Sequence, residues 1–457
     1  MVGRSWCVML AFAAAGCLTD PKPNGDDDDV VVIDAGVGSD APAVVDAAPA
    51  SDADPPLGCA GDAGTPFPPA ATTAFRAPQV VRLNGDALDD LLLVDPLTAR
   101  VYMILGRNCG FGTIADGQHL ADDTVPYAAT VAELGGSEGE LDLIVLGAQS
   151  GTGHLLVYRG VGPLEFSSES FKNDVNTHAQ SATFVPQASD LAFVITANFD
   201  DDARVDLVLG HEVGVYTAVM PADLESLTQP SFGAMPMTLL EVPTEYASTP
   251  GSWAGRPAPL VYRSIAHPPT DDLVISTDPY VFRHENDGAT NFTRESTMST
   301  GSNQHVTFYD IFAGDEVPEV FGVQSGSLSV TVYHPAGSAK SYRMVVGGGV
   351  GSLDDIAVAN FDADPRPDMV FLDNHEGLSD SVLVLYRNAE LMDSVDPMVV
   401  PASGPFVHNF TDGFHPSFVV AGNFTGDAEM ELLAIDDEAG IRCLDLATGF
   451  NPCVDTE

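Results

Sequence analysis

The residues whose types and spacing could do chemistry are oxygen-bearing side chains in short loops. In Asn198-Phe199-Asp200-Asp201-Asp202-Ala203-Arg204-Val205-Asp206 they stand at loop positions 1, 3, 5 and 9, and an apolar run, Leu207-Val208-Leu209, follows at once. The pattern returns at Asn360, Asp362, Asp364 and Asp368 before Met369-Val370-Phe371, and at Asn423, Asp427 and Glu431 before Leu432-Leu433. Alternating positions turn their side chains toward one point, and the ninth closes the site from the base of the next strand. Such a set suits Ca²⁺, which takes about six to eight oxygen ligands. The same residues also serve as turn formers whose side chains accept backbone N–H groups without any metal. A further loop keeps Asn84, Asp86 and Asp90 but carries Arg82 at its first position.

Other chemical signatures are poor. Gly135-Gly136-Ser137-Glu138-Gly139 has the letters of a nucleophile elbow. It lacks the following helix that such an elbow needs. The eleven histidines show no zinc-ligand spacing. Gly347-Gly348-Gly349-Val350-Gly351 reads as a turn before a strand rather than a dinucleotide cradle.

The elements that position the loops emerge when the chain is aligned on the acid that opens each apolar run. Seven such anchors appear: Asp90, Asp142, Asp206, Asp272, Glu319, Asp368 and Glu431. They recur on average about every 57 residues, within the range of propeller blades. A second β-type run follows each, as in Arg100–Gly106, His154–Gly160, Ser327–Tyr333 and Ser381–Tyr386, and another precedes each loop, as in Leu191–Ile195. No long 3.6-residue periodicity interrupts them. The expected fold is all-β, a seven-bladed β-propeller over residues 58–457, in which each four-stranded unit buries its faces on its neighbours. The last unit runs short of residues. It is expected to borrow an outer strand from residues 60–76 and so tie the chain ends together.

The loop-and-strand unit resembles the FG-GAP or VCBS repeat of integrin α-subunit propellers and many bacterial surface proteins, which centres on Asp-Phe-Asn-Gly-Asp-Gly-x-x-Asp-Leu. The loops ending at Asp206, Asp368 and Glu431 carry the likeness best. In that family these loops bind Ca²⁺, which here implies a structural role for the ion. Asn198 and Asn360 replace the first Asp, Ala203 and Pro365 replace the sixth-position Gly, and Thr425 and Glu431 replace two carboxylate positions. The resemblance implies fold rather than function, because the family holds adhesins, enzyme appendages and other proteins.

At the start of the chain, Arg4 precedes the apolar run Trp6–Ala15, which is too short to span a bilayer. Residues 1–16 read as a signal peptide. Ala14-Ala15-Gly16-Cys17 is similar to a bacterial lipobox, which implies lipidation of Cys17 and, with Leu18 next, an outer-membrane lipoprotein facing the periplasm or cell surface. Plain secretion is the alternative. Residues 17–57, rich in Asp, Ala and Pro and including Asp26-Asp27-Asp28-Asp29, read as a disordered acidic tether.

Acidic residues number 66 against 18 basic ones, a formal net charge of −48. Nucleic acid is excluded as a partner, since it needs a basic surface. Beyond the signal and lipobox cysteines, Cys59, Cys109, Cys443 and Cys453 form an even set in an oxidising compartment. Three pairings are open. The short separation favours Cys443 with Cys453, leaving Cys59 with Cys109, whereas a bond from Cys59 to a C-terminal cysteine would lock the propeller shut. The leading expectation is a monomeric, non-catalytic envelope module that binds protein or glycan. A polysaccharide-active enzyme and a purely structural component are the alternatives.

Overall fold

The computed structural model describes most residues from Phe75 to Cys453, all within the compact unit Pro42–Glu457. Residues 1–74 and several inter-strand stretches, 175–190, 220–236 and 242–257 the longest, lie outside the described residues. The expected signal peptide, Cys17, the tether 17–57, Cys59, Cys109, Asp427 and the Gly135–Gly139 stretch therefore also lie outside them. The described residues form strands and no helix.

Apart from a separate two-stranded pair, Gly106–Arg107 with Gly110–Phe111, the strands run in consecutive antiparallel meanders of four. Meander one comprises Arg76–Val81, Asp90–Asp95, Arg100–Ile104 and Gln118–His119; meander two, Val125–Ala132, Asp142–Gln149, Thr152–Gly162 and Glu165–Asp174. Meander three comprises Leu191–Ala197, Asp206–His211, Gly214–Ala218 and Met237–Glu241; meander four, Ala258–Arg263, Asp271–Ser276, Tyr280–Asn286 and Phe292–Ser299. Meander five comprises Asn303–Tyr309, Glu319–Gln324, Ser329–His334 and Lys340–Val345; meander six, Asp355–Ala359, Asp368–Asp373, Ser381–Met392 and Met398–Phe410. Meander seven comprises Phe418–Gly422, Glu431–Asp436, Gly440–Asp445 and Asn451–Pro452. Meanders five and six merge into one eight-stranded sheet through a single parallel pairing, Arg343 with Met398.

Every second strand is apolar without alternation because both of its faces are covered. Leu91 and Leu93 pack in one core cluster with Leu433 and Ile435 of meander seven, while Leu92 and Val94 pack in another with Leu143 and Val145 of meander two. Leu207 and Leu209 face meander two, and Val208 faces Leu273 and Ile275 of meander four. Separate clusters join meander four to five, five to six, and six to seven. Packing thus runs from each meander to the next and from the last back to the first.

The expected outer strand from residues 60–76 lies, up to residue 74, outside the described residues. The fourth strand of meander seven is its own chain end, Asn451–Pro452, paired with Asp445 and Leu444, while Arg76 opens meander one and pairs with Val94. The tail is held there by the Cys443–Cys453 disulfide, with Cα atoms 5.3 Å apart, and by the Cys453 N–H, which donates to the Cys443 carbonyl at 3.1 Å. That pairing also rules out a bond from Cys59 to either C-terminal cysteine.

Candidate functional site

The seven anchor acids mark the same end of every meander, and all are buried, with exposures between 0 and 2 %. A buried carboxylate is costly unless hydrogen-bonded, so its partners define its job. One oxygen takes the N–H of loop position 2: Leu83 to Asp90 at 2.6 Å, Phe199 to Asp206 at 2.7 Å, Phe361 to Asp368 at 3.1 Å and Phe424 to Glu431 at 2.7 Å. Leu134 and Ile311 give theirs to Asp142 and Glu319 in the loops that have lost the repeat spacing. The other oxygen takes an N–H just past the third strand's partner residue: Gly106 to Asp90, Gly160 to Asp142, Asn286 to Asp272 and Asn388 to Asp368, all between 2.8 and 2.9 Å. Asp90, Asp142 and Asp368 therefore each pin their loop and third strand together, and Glu319 does so through the Ile311 N–H and the His334 ring.

Burial pushes the Asp90 carboxyl up to about 7, against the pull of the Leu83 and Gly106 N–H groups. Burial also raises Asp142, although the Gly160 N–H and Arg159 oppose it. Asp368 is pushed up to about 6, chiefly by burial, with Asp362 adding to the rise.

Loop positions 1 and 2 reach into the next meander. The Asn198 N–H donates to the Asp271 carboxylate at 2.7 Å, and the Asp271 N–H returns a bond to the Asn198 carbonyl at 2.7 Å. The Asn423 N–H donates to the Asp89 carboxylate at 2.8 Å, and the Asp89 N–H donates to the Asn423 carbonyl at 2.7 Å. Asn360 accepts the Met430 N–H at 3.2 Å. In each case the partner precedes the next meander's anchor. Phe199, Phe361 and Phe424, all fully buried, fill the core clusters shared with those same neighbours. Phe199 meets the Phe292 ring edge-on at 4.9 Å.

The expected metal ligands are placed as follows. Asp200 accepts the Asp202 N–H at 3.3 Å, and Asp202 accepts the Arg204 N–H at 2.7 Å and pairs with the Arg204 guanidinium. Asn360, Asp362 and Asp364 accept the N–H groups of Asp362, Asp364 and Arg366 in turn. Asn423 accepts the Gly426 N–H at 2.8 Å, and the Thr425 hydroxyl donates to Glu431 at 2.5 Å. These are the bonds of polar turns. Among the described residues, no group of three or more His, Cys, Asp and Glu side chains is placed to hold a metal.

Basic side chains come instead from the third strand. Strand register sets Arg159 next to Asp142, His334 next to Glu319 and Arg387 next to Asp368 across the ladder. Arg159 pairs with Asp142 at 2.9 Å, His334 Nδ1 lies 2.6 Å from Glu319, and Arg387 pairs with Asp362 at 2.9 Å. In meander three the same register puts Val219 next to Asp206, and the guanidinium at this loop is instead that of Arg204, on Asp202. The single signal for the cation position is the repeated Tyr158-Arg159 and Tyr386-Arg387.

At the opposite end of meander six, Ser381 Oγ lies 3.1 Å from His415 Nδ1 and donates to Asn374 at 3.2 Å. Ser381 is fully buried, so this is a core contact and offers no exposed nucleophile.

No protein-family model matches the chain, and no curated protein matches it. Among solved structures, BBS1N in complex with ARL6DN is similar over 85 % of this chain and 98 % of that one, with 13 % identity and a TM-score of 0.44. An Agrocybe aegerita lectin that recognises non-reducing terminal N-acetylglucosamine is similar over 74 % of this chain and 80 % of its own, with 15 % identity and a TM-score of 0.42. Both similarities are too low to carry fold or function across.

Proposed function

We propose that the meanders are the blades of a seven-bladed β-propeller of FG-GAP/VCBS type, and that it works as a non-catalytic binding or scaffold module for protein or glycan. The observation that carries this reading is the closing clasp between Asn423 and Asp89, together with the core cluster joining meander seven to meander one. The acids most able to do chemistry are buried and committed to backbone N–H groups, so the framework is rigid and recognition falls to its exposed loops. In this reading the module belongs to an outer-membrane lipoprotein, which the lipobox-like Ala14–Cys17 and the acidic segment after it support. Ca²⁺ belongs to Asn198–Asp206 in this reading, where Asn198, Asp200, Asp202 and Asp206 would hold it and the ion would screen clustered carboxylates.

The test is a glycan array, with cross-linking to envelope proteins in parallel, using the exported chain. Saturable binding to one glycan class or one protein is expected. Failure of both arms would remove the binding role and leave the structural one. A Cys17→Ala chain found in the medium rather than the membrane fraction would support the anchor. Unchanged membrane attachment would count against it.

A further inference from the structure

We propose that the Arg387 guanidinium takes the place of a calcium ion in the loop Asn360–Asp368, so that this loop carries its own permanent cation and takes up no metal. Arg387 stands on the third strand of meander six, next to Asp368 across the ladder. One of its amino groups donates to the Asp362 carboxylate at 2.9 Å, and both side chains are only 15 % exposed. The other donates to the carbonyls of Leu446 and Ala447 in meander seven, the latter at 2.9 Å. The Phe406 ring lies 5.7 Å from its central carbon. A carboxylate and two carbonyls are the oxygen types a calcium ion recruits, and here the N–H donors of a guanidinium collect them.

The charge is permanent, because an arginine is not deprotonated in a protein. A divalent ion drawn to Asp362 would meet that positive charge within a few ångströms in a half-buried setting, where repulsion is poorly screened. The device is not confined to one meander. Arg159 and His334, at the equivalent position, pair directly with the anchors Asp142 and Glu319 in meanders whose loops have lost the ligand spacing. Meander six differs in retaining the loop acids while drawing its basic residue from the third strand, where it is only 15 % exposed; in meander three the guanidinium on Asp202 is that of Arg204, within the loop and 37 % exposed. Arg387 also does what a loop-bound ion does not, since it ties its own loop to the next meander.

Calcium titration of the full chain by calorimetry, with thermal melts in calcium and in chelator, tests this. Asp362→Asn is expected to leave the number of bound ions and the calcium-dependent shift in Tm at wild-type values. Loss of one bound ion in Asp362→Asn would overturn the proposal. Arg387→Gln is expected to melt several degrees lower in chelator and to recover part of that loss in calcium. An equal loss in both conditions would overturn the substitution of guanidinium for metal. If Arg387→Gln does not fold, Asp362→Asn decides alone. Asp200→Asn, run in parallel, reports separately on the loop Asn198–Asp206.

Discussion

Asn423 and Asp89 lie 334 residues apart in the chain, yet each gives its backbone N–H to an oxygen of the other, at 2.8 and 2.7 Å. The same exchange joins Asn198 to Asp271, 73 residues apart, in the middle of the array. The junction between the last meander and the first therefore repeats an ordinary internal one. Asp89→Ala leaves the Asn423 N–H without its carboxylate, and a loss of about 1–3 kcal/mol is expected. Asp271→Ala is expected to cost a similar amount. Urea unfolding of both variants checks this, and a cost at Asp271 but none at Asp89 would mean the ends are not joined.

Gly106 tests closure from the steric side. A side chain there would collide with the carbonyl oxygens of Asp89 and Phe424. Gly106→Ala is expected to destabilise by about 1–3 kcal/mol, the usual cost of overpacking. Gly347→Ala, whose added carbon would meet only the Tyr386 hydroxyl at 3.4 Å, is the comparison and should cost much less.

The buried anchors set a pH dependence. Asp90 and Asp368 have folded values raised from 3.8 to about 7 and about 6. A raised carboxyl binds its proton more tightly in the folded chain, so its contribution is present below 3.8 and lost as pH rises through the folded value. Stability is expected to fall across that window and to fall less steeply in Asp90→Asn. His408 acts in the opposite sense, since burial lowers it and its contribution is lost as pH falls below 6.5. Denaturant titrations from acid to neutral pH separate the two.

The disulfide holds a two-residue strand that has few other ties. Reducing Cys443–Cys453, or replacing both cysteines by alanine, is expected to cost about 2–3 kcal/mol for so short a loop. Hydrogen exchange should show the Cys453 N–H losing protection first, while the Phe424 N–H, bonded to buried Glu431, stays protected.

Much of the framework is visible in the residues themselves. An acid followed by an unbroken apolar run marks a strand covered on both faces, and Asp90, Asp142, Asp206, Glu319, Asp368 and Glu431 each open one. The fourth such strand starts one residue earlier than its anchor, at Asp271. What the loops do was less visible. Asn198, Asp200 and Asp202 suit a calcium site and a polar turn equally, because both uses need oxygens at alternate positions. The clasp of Asn423 on Asp89 depends on backbone groups and on where the last meander meets the first, which no local pattern encodes. Phe199, Phe361 and Phe424 read as apolar loop residues, and only the packing shows that they enter the neighbouring core. Arg387 needed the strand register before its place beside Asp368 could be seen.

Electron cryomicroscopy of the full chain tests the central claim most directly. Views down the axis are predicted to show seven radial four-stranded blades, with continuous density between the blade holding Asn423 and the blade holding Asp89. A different number of blades, or a gap at that junction, would contradict it.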